Sequence, residues 1–301
     1  MLVAALLSGC VVTHHAAQPS ALGVQRSSAD LLAVLAQPGA ATVETIVACD
    51  WVVDRGGLIN LEHATAKEAG LVEGLEPIQI FFHVIRHPTQ GTFLIDTGVE
   101  NALRDDPSKS ALSGLLKSYM KTDRMKVSAP LGEWVTQEPQ PLQGVFVTHL
   151  HFDHITGMAD VPAGTPIYTG PGEAGATAFL NLFVVGSADR ALEGKGPINE
   201  WQFGPDATGR FSGIVDVFGD GLVWAIWSPG HTPGSTAFLV RTPKGPVLLT
   251  GDVAHTRWGW DHDVEPGSFT ADGPTGLESF KRLRALVAEY PQIDLRLGHQ
   301  K

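Results

Sequence analysis

Residues 148–154 read THLHFDH, placing three histidines and an aspartate in seven positions. His149, His151 and His154 are three of the chain's 12 histidines, and Asp153 directly precedes the last of them. At this composition, H-x-H-x-D-H arises somewhere in the chain by chance with odds on the order of one in a thousand. Histidines two apart at the end of a strand project to the same side, so His149 and His151 can grip one ion together. Asp153 and His154 turn back from the start of the next segment and can serve a second ion beside the first. Imidazole and carboxylate donors suit borderline divalent metals, zinc foremost, with iron, manganese, cobalt or nickel as alternatives.

A two-metal site wants more ligands, and other strand ends offer them. GVFVTHL (144–150) reads as a buried strand running into the motif. SPGHTPGS (228–235) places His231 in a Gly/Pro-framed loop after the strand 222–227. LLTGD (248–252) ends a strand on Asp252, a carboxylate well placed to bridge two cations, and LRLGH (295–299) ends the last strand on His299.

Around these stretches, apolar runs bounded by turn residues dominate. Strands are expected at 42–54, 77–87 and 165–170, with 77–87 turning at 88–91 into 92–98 as a hairpin and further hairpins at 213–230 and 235–252. Helical patterns fit 101–120, 173–184 and 276–290, where Leu277, Phe280, Leu283, Leu286 and Val287 share a face. Strands with interspersed helices indicate a layered α/β protein. No internal repeat or second linker occurs, which gives one domain over residues 29–301. Residues 10–28 are small, polar and without period, and read as a tether with solvated His14 and His15. His83 and His87 read as core or rim residues and His63 as a surface helix residue.

At 301 residues, with 43% hydrophobic and 18% charged residues, the chain is an ordinary globular protein. A net charge of −11, from 21 basic and 32 acidic residues, argues against a nucleic-acid partner, which would want a basic face. The two cysteines, Cys10 and Cys49, build neither a disulfide framework nor a Cys-rich zinc site. MLVAALLSGC (1–10) resembles a bacterial lipoprotein signal, with LSGC as the lipobox, although no Lys or Arg precedes its short apolar run. The resemblance implies a signal segment at 1–9, a lipid on Cys10 as the one membrane contact, and a tethered place in the cell envelope or periplasm. Cys49 is expected as a small buried residue.

The set H-x-H-x-D-H, G-H-T-P-G, T-G-D and G-H, together with LIDTG (94–98), resembles the metallo-β-lactamase-fold hydrolase superfamily across the whole domain. The resemblance implies an αββα sandwich with a dinuclear site at the sheet edge. Carried onto this chain, His149, His151 and His231 would hold one metal, and Asp153, His154 and His299 the other, with Asp252 bridging. Asp96 would orient a histidine ligand. The implied reaction is hydrolysis of a small-molecule ester or lactone by a metal-bridging hydroxide, with Asp153 passing a proton to the leaving group.

Asp252 points away from true β-lactamases of this fold, which generally lack that carboxylate. Glyoxalase-II-type thioesterases carry a glutathione-binding helical domain after the last ligand, and nuclease members carry basic clamps and extra domains; neither is expected here. The pattern is most similar to N-acyl-homoserine-lactone lactonases, with arylesterases, phosphotriesterases and β-lactamase-like hydrolases as alternatives. An iron oxidoreductase and a silent binding lipoprotein stand further off. Lactonases commonly carry tyrosine three residues after the bridging aspartate, where this chain has His255. Its imidazole is expected to take a catalytic part by donating a hydrogen bond to a developing oxyanion. Trp258, Trp260 and the stretch AFLNLFVV (178–185) read equally as pocket lining or as core.

Overall fold

The computed structural model describes residues 10–112, 114–178 and 181–301. Its longest strands, Thr42–Asp54 and Leu75–His87, pair antiparallel with one register shift between Val47 and Cys49. Both are rich in β-branched and aromatic residues, which suit a pleated, half-buried surface. Among the described residues they lie in an eight-stranded sheet ordered Ala17–Pro19, Ile198–Glu200, Ile167–Thr169, Leu142–Phe146, Gly91–Ile95, Leu75–His87, Thr42–Asp54, Lys126–Val127. A six-stranded sheet follows the order Asp294–Arg296, Gly245–Leu249, Thr236–Thr242, Val223–Trp227, Gly213–Asp216, Val24–Gln25.

Alternation along the strands sorts side chains into layers. Ile85, Phe93, Ile95 and Phe146 of the first sheet face Val215, Ala225, Phe238 and Val240 of the second. Phe146 stacks on Phe93 at 5.1 Å and on Phe238 at 5.8 Å, so emptying this position would cost about 3–5 kcal/mol. The neighbouring residues Phe82, Val84, Leu94 and Val145 point outward beneath Leu131, Ile155 and Ala188, which lie on helices. On the far side, Ile226, Leu239 and Leu248 meet Leu31 and Leu35 of the helix Ser28–Leu35. They also meet Phe280, Leu283 and Leu286 of the helix Gly273–Glu289. The layering is αββα, as the family resemblance implies.

Three local expectations differ. The segment read as a tether is laid onto the domain. Cys10–Val11 pairs with Thr177–Ala178, Ala17–Pro19 runs parallel to Ile198–Glu200, and Val24–Gln25 pairs with Val215 and Asp216. Val12, Thr13 and Ser20 are buried there. His14 is exposed and bonded to Asp189 at 2.8 Å, and His15 Nε2 meets the Gly196 carbonyl at 2.6 Å. Edge strands of two or three residues carry no period, which is why composition alone suggested a linker. Ser27 then opens an unforeseen helix with a capping box: Asp30 Oδ2 accepts from Ser27 N at 2.8 Å.

The helix expected over 101–120 is broken into Asn101–Asp105, a 3-10 turn Pro107–Lys109, and Gly114–Met120. Pro107 excludes helical backbone at Asp106, whose φ is −151°. The helix expected over 173–184 lies instead at Asn181–Ala191, because residues 177–178 are taken by the N-terminal strand. Residues 1–9, read as a signal segment, lie outside the described residues. No helix among the described residues is long and apolar enough to cross a membrane.

Candidate metal centre

Parallel pairing brings the strand ends that matter to one edge. Gly91–Ile95 runs parallel to Leu142–Phe146, and Gly245–Leu249 parallel to Asp294–Arg296, so their C-terminal ends open together. From these ends come Asp96, the 147–151 loop, the 3-10 turn Gly251–Val253 and the approach to His299. His151 caps the short helix Phe152–Ile155, which carries Asp153 and His154. His231 arrives on the loop after Val223–Trp227. A Cβ at Gly298 would strike Asp252 Oδ1, so glycine there lets the last two strand ends close on each other.

The motif residues converge. His231 Nε2 lies 3.1 Å from His149 Nε2 and 2.9 Å from His151 Nδ1. Asp153, His154, Asp252 and His299 form a second group, and donor atoms within each group all lie within 4.8 Å of one another. Asp252 sits between the groups. Its Oδ2 is 3.4 Å from His231 Nε2 and 3.7 Å from His149 Nε2, and its Oδ1 is 3.3 Å from both His154 Nε2 and His299 Nε2. His154 Nε2 and Asp252 Oδ1 are buried without hydrogen-bond partners. Nitrogen and carboxylate donors crowded together without the hydrogen bonds that burial requires fit a pair of divalent cations.

The far sides of four rings are tied down, whereas His231 Nδ1 is buried without a hydrogen-bond partner. Asp96 Oδ2 accepts from His154 Nδ1 at 2.8 Å and from the Thr148 hydroxyl at 2.9 Å. That hydroxyl, committed to Asp96 as donor, accepts from His149 Nδ1 at 3.1 Å. His299 Nδ1 donates to the Gln79 carbonyl at 3.0 Å. His255 Nδ1 donates to the Leu58 carbonyl at 3.2 Å, and its Nε2 lies 3.2 Å from Asp252 Oδ2. With Nδ1 used outward, each of these four rings turns its Nε2 inward.

Burial pushes His149 and His231 well below the ordinary imidazole range and His151 below it too. Burial opposes charge on His154 and His299 as well, but the surrounding carboxylates outweigh it. Asp252, Asp96 and Asp153 hold His154 well above its usual range, and Asp252 and Asp153 raise His299 to about 10. Reciprocally, against their own burial, Asp153 and Asp252 are held below the usual carboxylate range by His154 and His299. A cation entering this cluster therefore displaces protons from the two imidazoles.

Sequence reasoning missed Glu173. This buried carboxylate accepts from Leu150 N at 2.8 Å, between His149 and His151, and from Gly234 N at 2.9 Å, on the His231 loop. Burial raises its carboxyl above the usual range. The available signal was a lone acid in the Gly/Pro turn PGEAGA (171–176), where apolar runs stop.

A cavity of about 360 Å³ opens onto the centre. Its apolar wall includes Val12, Trp51, Leu58, Ile78 and Leu116, and no Lys or Arg is among the described residues lining it. Trp258 and Trp260 do not line it, which settles them as packing residues. Trp260 is buried against Phe280, and Trp258 stacks on His262 at 4.4 Å. From AFLNLFVV, Val184 reaches the cavity, while Phe179 and Leu180 lie outside the described residues.

The remaining histidines stand apart from the metal groups. His83 is bonded to Thr45 at 2.8 Å and pushed down to about 3 by burial, Arg296 and His154. His87 faces Asp220 at 2.9 Å, and His63 caps the helix Ala64–Glu68. Cys49 is buried, as expected.

The metallo-beta-lactamase superfamily model matches residues 75–291. The chain is 31% identical over 226 residues to N-acyl homoserine lactonase AttM of Azorhizobium caulinodans, covering 74% of this chain and 82% of that protein. It superposes with a TM-score of 0.61 on a quorum-quenching N-acyl homoserine lactone lactonase, at 21% identity, covering 88% of this chain and 94% of that one. With AidC, described as a dizinc quorum-quenching lactonase, the TM-score is 0.60 at 13% identity, covering 93% and 92%. By family match, relatives and fold, this chain belongs to the metallo-beta-lactamase superfamily, among its metal-dependent hydrolases.

Proposed function

We propose that the chain hydrolyses lactones bearing an apolar acyl chain, N-acyl homoserine lactones foremost. The carrying observation is the cavity, whose largely apolar wall ends on the two His/Asp groups and, among the described residues, includes no Lys or Arg. The AttM relatives, named as N-acyl homoserine lactonases, support the same choice.

In this reading His149, His151 and His231 hold one ion, and Asp153, His154 and His299 the other, with Asp252 between them; zinc suits the donors best. The ions supply Lewis acidity and a hydroxide nucleophile near neutral pH. Asp153, half-buried on the cavity wall and ionised at rest, would take the proton that the attacking water gives up and return it to the departing alkoxide. The apolar wall receives the acyl chain and excludes water from it. The lipobox-like LSGC supports a lipid on Cys10 and an envelope location, which the mass of the mature N-terminus from a bacterial host tests.

Proton release from a long-chain N-acyl homoserine lactone, followed in a pH-stat with zinc-loaded protein, tests the function. Release that disappears in Asp252→Ala is expected. No release from a protein holding two metals, with turnover of aryl esters or phosphotriesters instead, would reject the lactone.

A further inference from the structure

We propose that His255 is itself a metal ligand, an eighth protein donor, closing one side of the ion held by His149, His151 and His231. The inference rests on the two-metal reading of the site and adds to it a residue outside the motif set.

Four observations carry it. His255 is 1% exposed, and its Nδ1 is committed to the Leu58 carbonyl, which can only accept; the hydrogen is therefore on Nδ1. With Nδ1 so used, Nε2 is the ring atom turned to the centre, and it is buried with no hydrogen-bond partner. Facing it at 3.2 Å is Asp252 Oδ2, an acceptor. The two buried atoms repel at that distance unless a proton or a cation lies between them. Finally, the donor atoms of His231, Asp252 and His255 lie within 4.8 Å of one another, the same closeness found in the two motif groups.

His255 also repeats the construction of His299. Each donates Nδ1–H to a backbone carbonyl, each turns Nε2 toward Asp252, and the rings lie 5.8 Å apart at 15°. The role of hydrogen-bond donor to an oxyanion fits this geometry poorly, because Nε2 already faces Asp252 Oδ2 at 3.2 Å. A further imidazole adds a borderline-soft donor, favouring zinc, cobalt or nickel over manganese.

The test compares the wild-type protein with His255→Phe and His255→Gln, each loaded with zinc and separately with cobalt(II). Chelator competition is expected to show one of the two ions bound at least tenfold more weakly in His255→Phe. The visible spectrum of its dicobalt form should gain intensity as the coordination number falls, and His255→Gln should be intermediate. Unchanged affinity and spectrum in both variants, with only kcat/KM altered, would overturn the proposal and place His255 against the substrate. If His255→Phe does not fold, His255→Gln alone decides by the same two readouts. A wild-type protein holding fewer than two ions would reject the underlying two-metal reading, a result separable from the variants' behaviour.

Discussion

Asp96 Oδ2 accepts a hydrogen bond from His154 Nδ1 at 2.8 Å, with both residues buried. The same carboxylate takes the Thr148 hydroxyl, which in turn holds His149, so one aspartate aims rings of both metal groups. Asp96 stands at φ 56°, a left-handed backbone that aspartate and asparagine tolerate better than most residues. Asp96→Asn therefore leaves the backbone undisturbed while removing the charge behind His154. Metal affinity should fall by about tenfold or more, the usual range for an outer partner of a metal-binding histidine. Chelator competition checks it; an unchanged affinity would make Asp96 a packing residue.

Glu173 links the His149–His151 stretch to the His231 loop. Glu173→Ala orphans Leu150 N and Gly234 N, each orphaned buried donor costing about 1–3 kcal/mol. A lower thermal midpoint and a weakened ion at His149, His151 and His231 are expected together. Glu173→Gln keeps one acceptor and should recover part of both. A drop in midpoint with metal affinity intact would confine Glu173 to holding the fold.

The residues that converge on the centre were legible because each sits in a short motif at a strand end. The rest of the centre was not, for physical reasons. Leu58 and Gln79 act through backbone carbonyls, which every residue type offers, so no side-chain pattern marks them. Glu173 works from a turn with no period. The elements themselves could be read because the strand Thr236–Thr242 carries a continuous apolar run and the helix Gly273–Glu289 keeps its period throughout, while the order of the layers came from the family resemblance. Residues 101–120 misled because apolar spacing continues across Pro107, where the backbone cannot.

Val12 lines the cavity from the N-terminal segment. Val12→Trp should occupy the space an acyl chain would use and shift preference toward short chains. The ratio of kcat/KM for long against short N-acyl substrates is expected to fall about tenfold, equivalent to ~1.4 kcal/mol. A constant ratio would place the acyl chain elsewhere.

Asp206 accepts from Ser28 N at 2.9 Å and Phe211 N at 3.1 Å. Burial opposes its charge, but these hydrogen bonds prevail and hold its carboxyl down at about 2. A carboxyl depressed on folding stabilises above its ordinary pKa of about 3.9 and loses that contribution as pH falls through the folded value. Asp206→Asn should thus cost about 1–2 kcal/mol at neutral pH, with the gap closing between about pH 4 and 2. Urea midpoints of chelator-treated wild-type and variant proteins measure this. A gap independent of pH would mean that shape, rather than charge, holds the Ser28 helix start.

The strap formed by residues 10–25 bears on how the chain is made. It leaves the ribosome ahead of its partner strands at 177–178, 198–200 and 215–216, which follow roughly 170–190 residues later, a very non-local pairing. At elongation rates of about 5–20 residues per second, it must wait roughly ten seconds or more for them. An apolar, regularly alternating segment left waiting that long would invite association with other nascent chains. The small, polar, aperiodic composition that reads as a linker is what allows this piece to stay in water until the edges it covers have been synthesised.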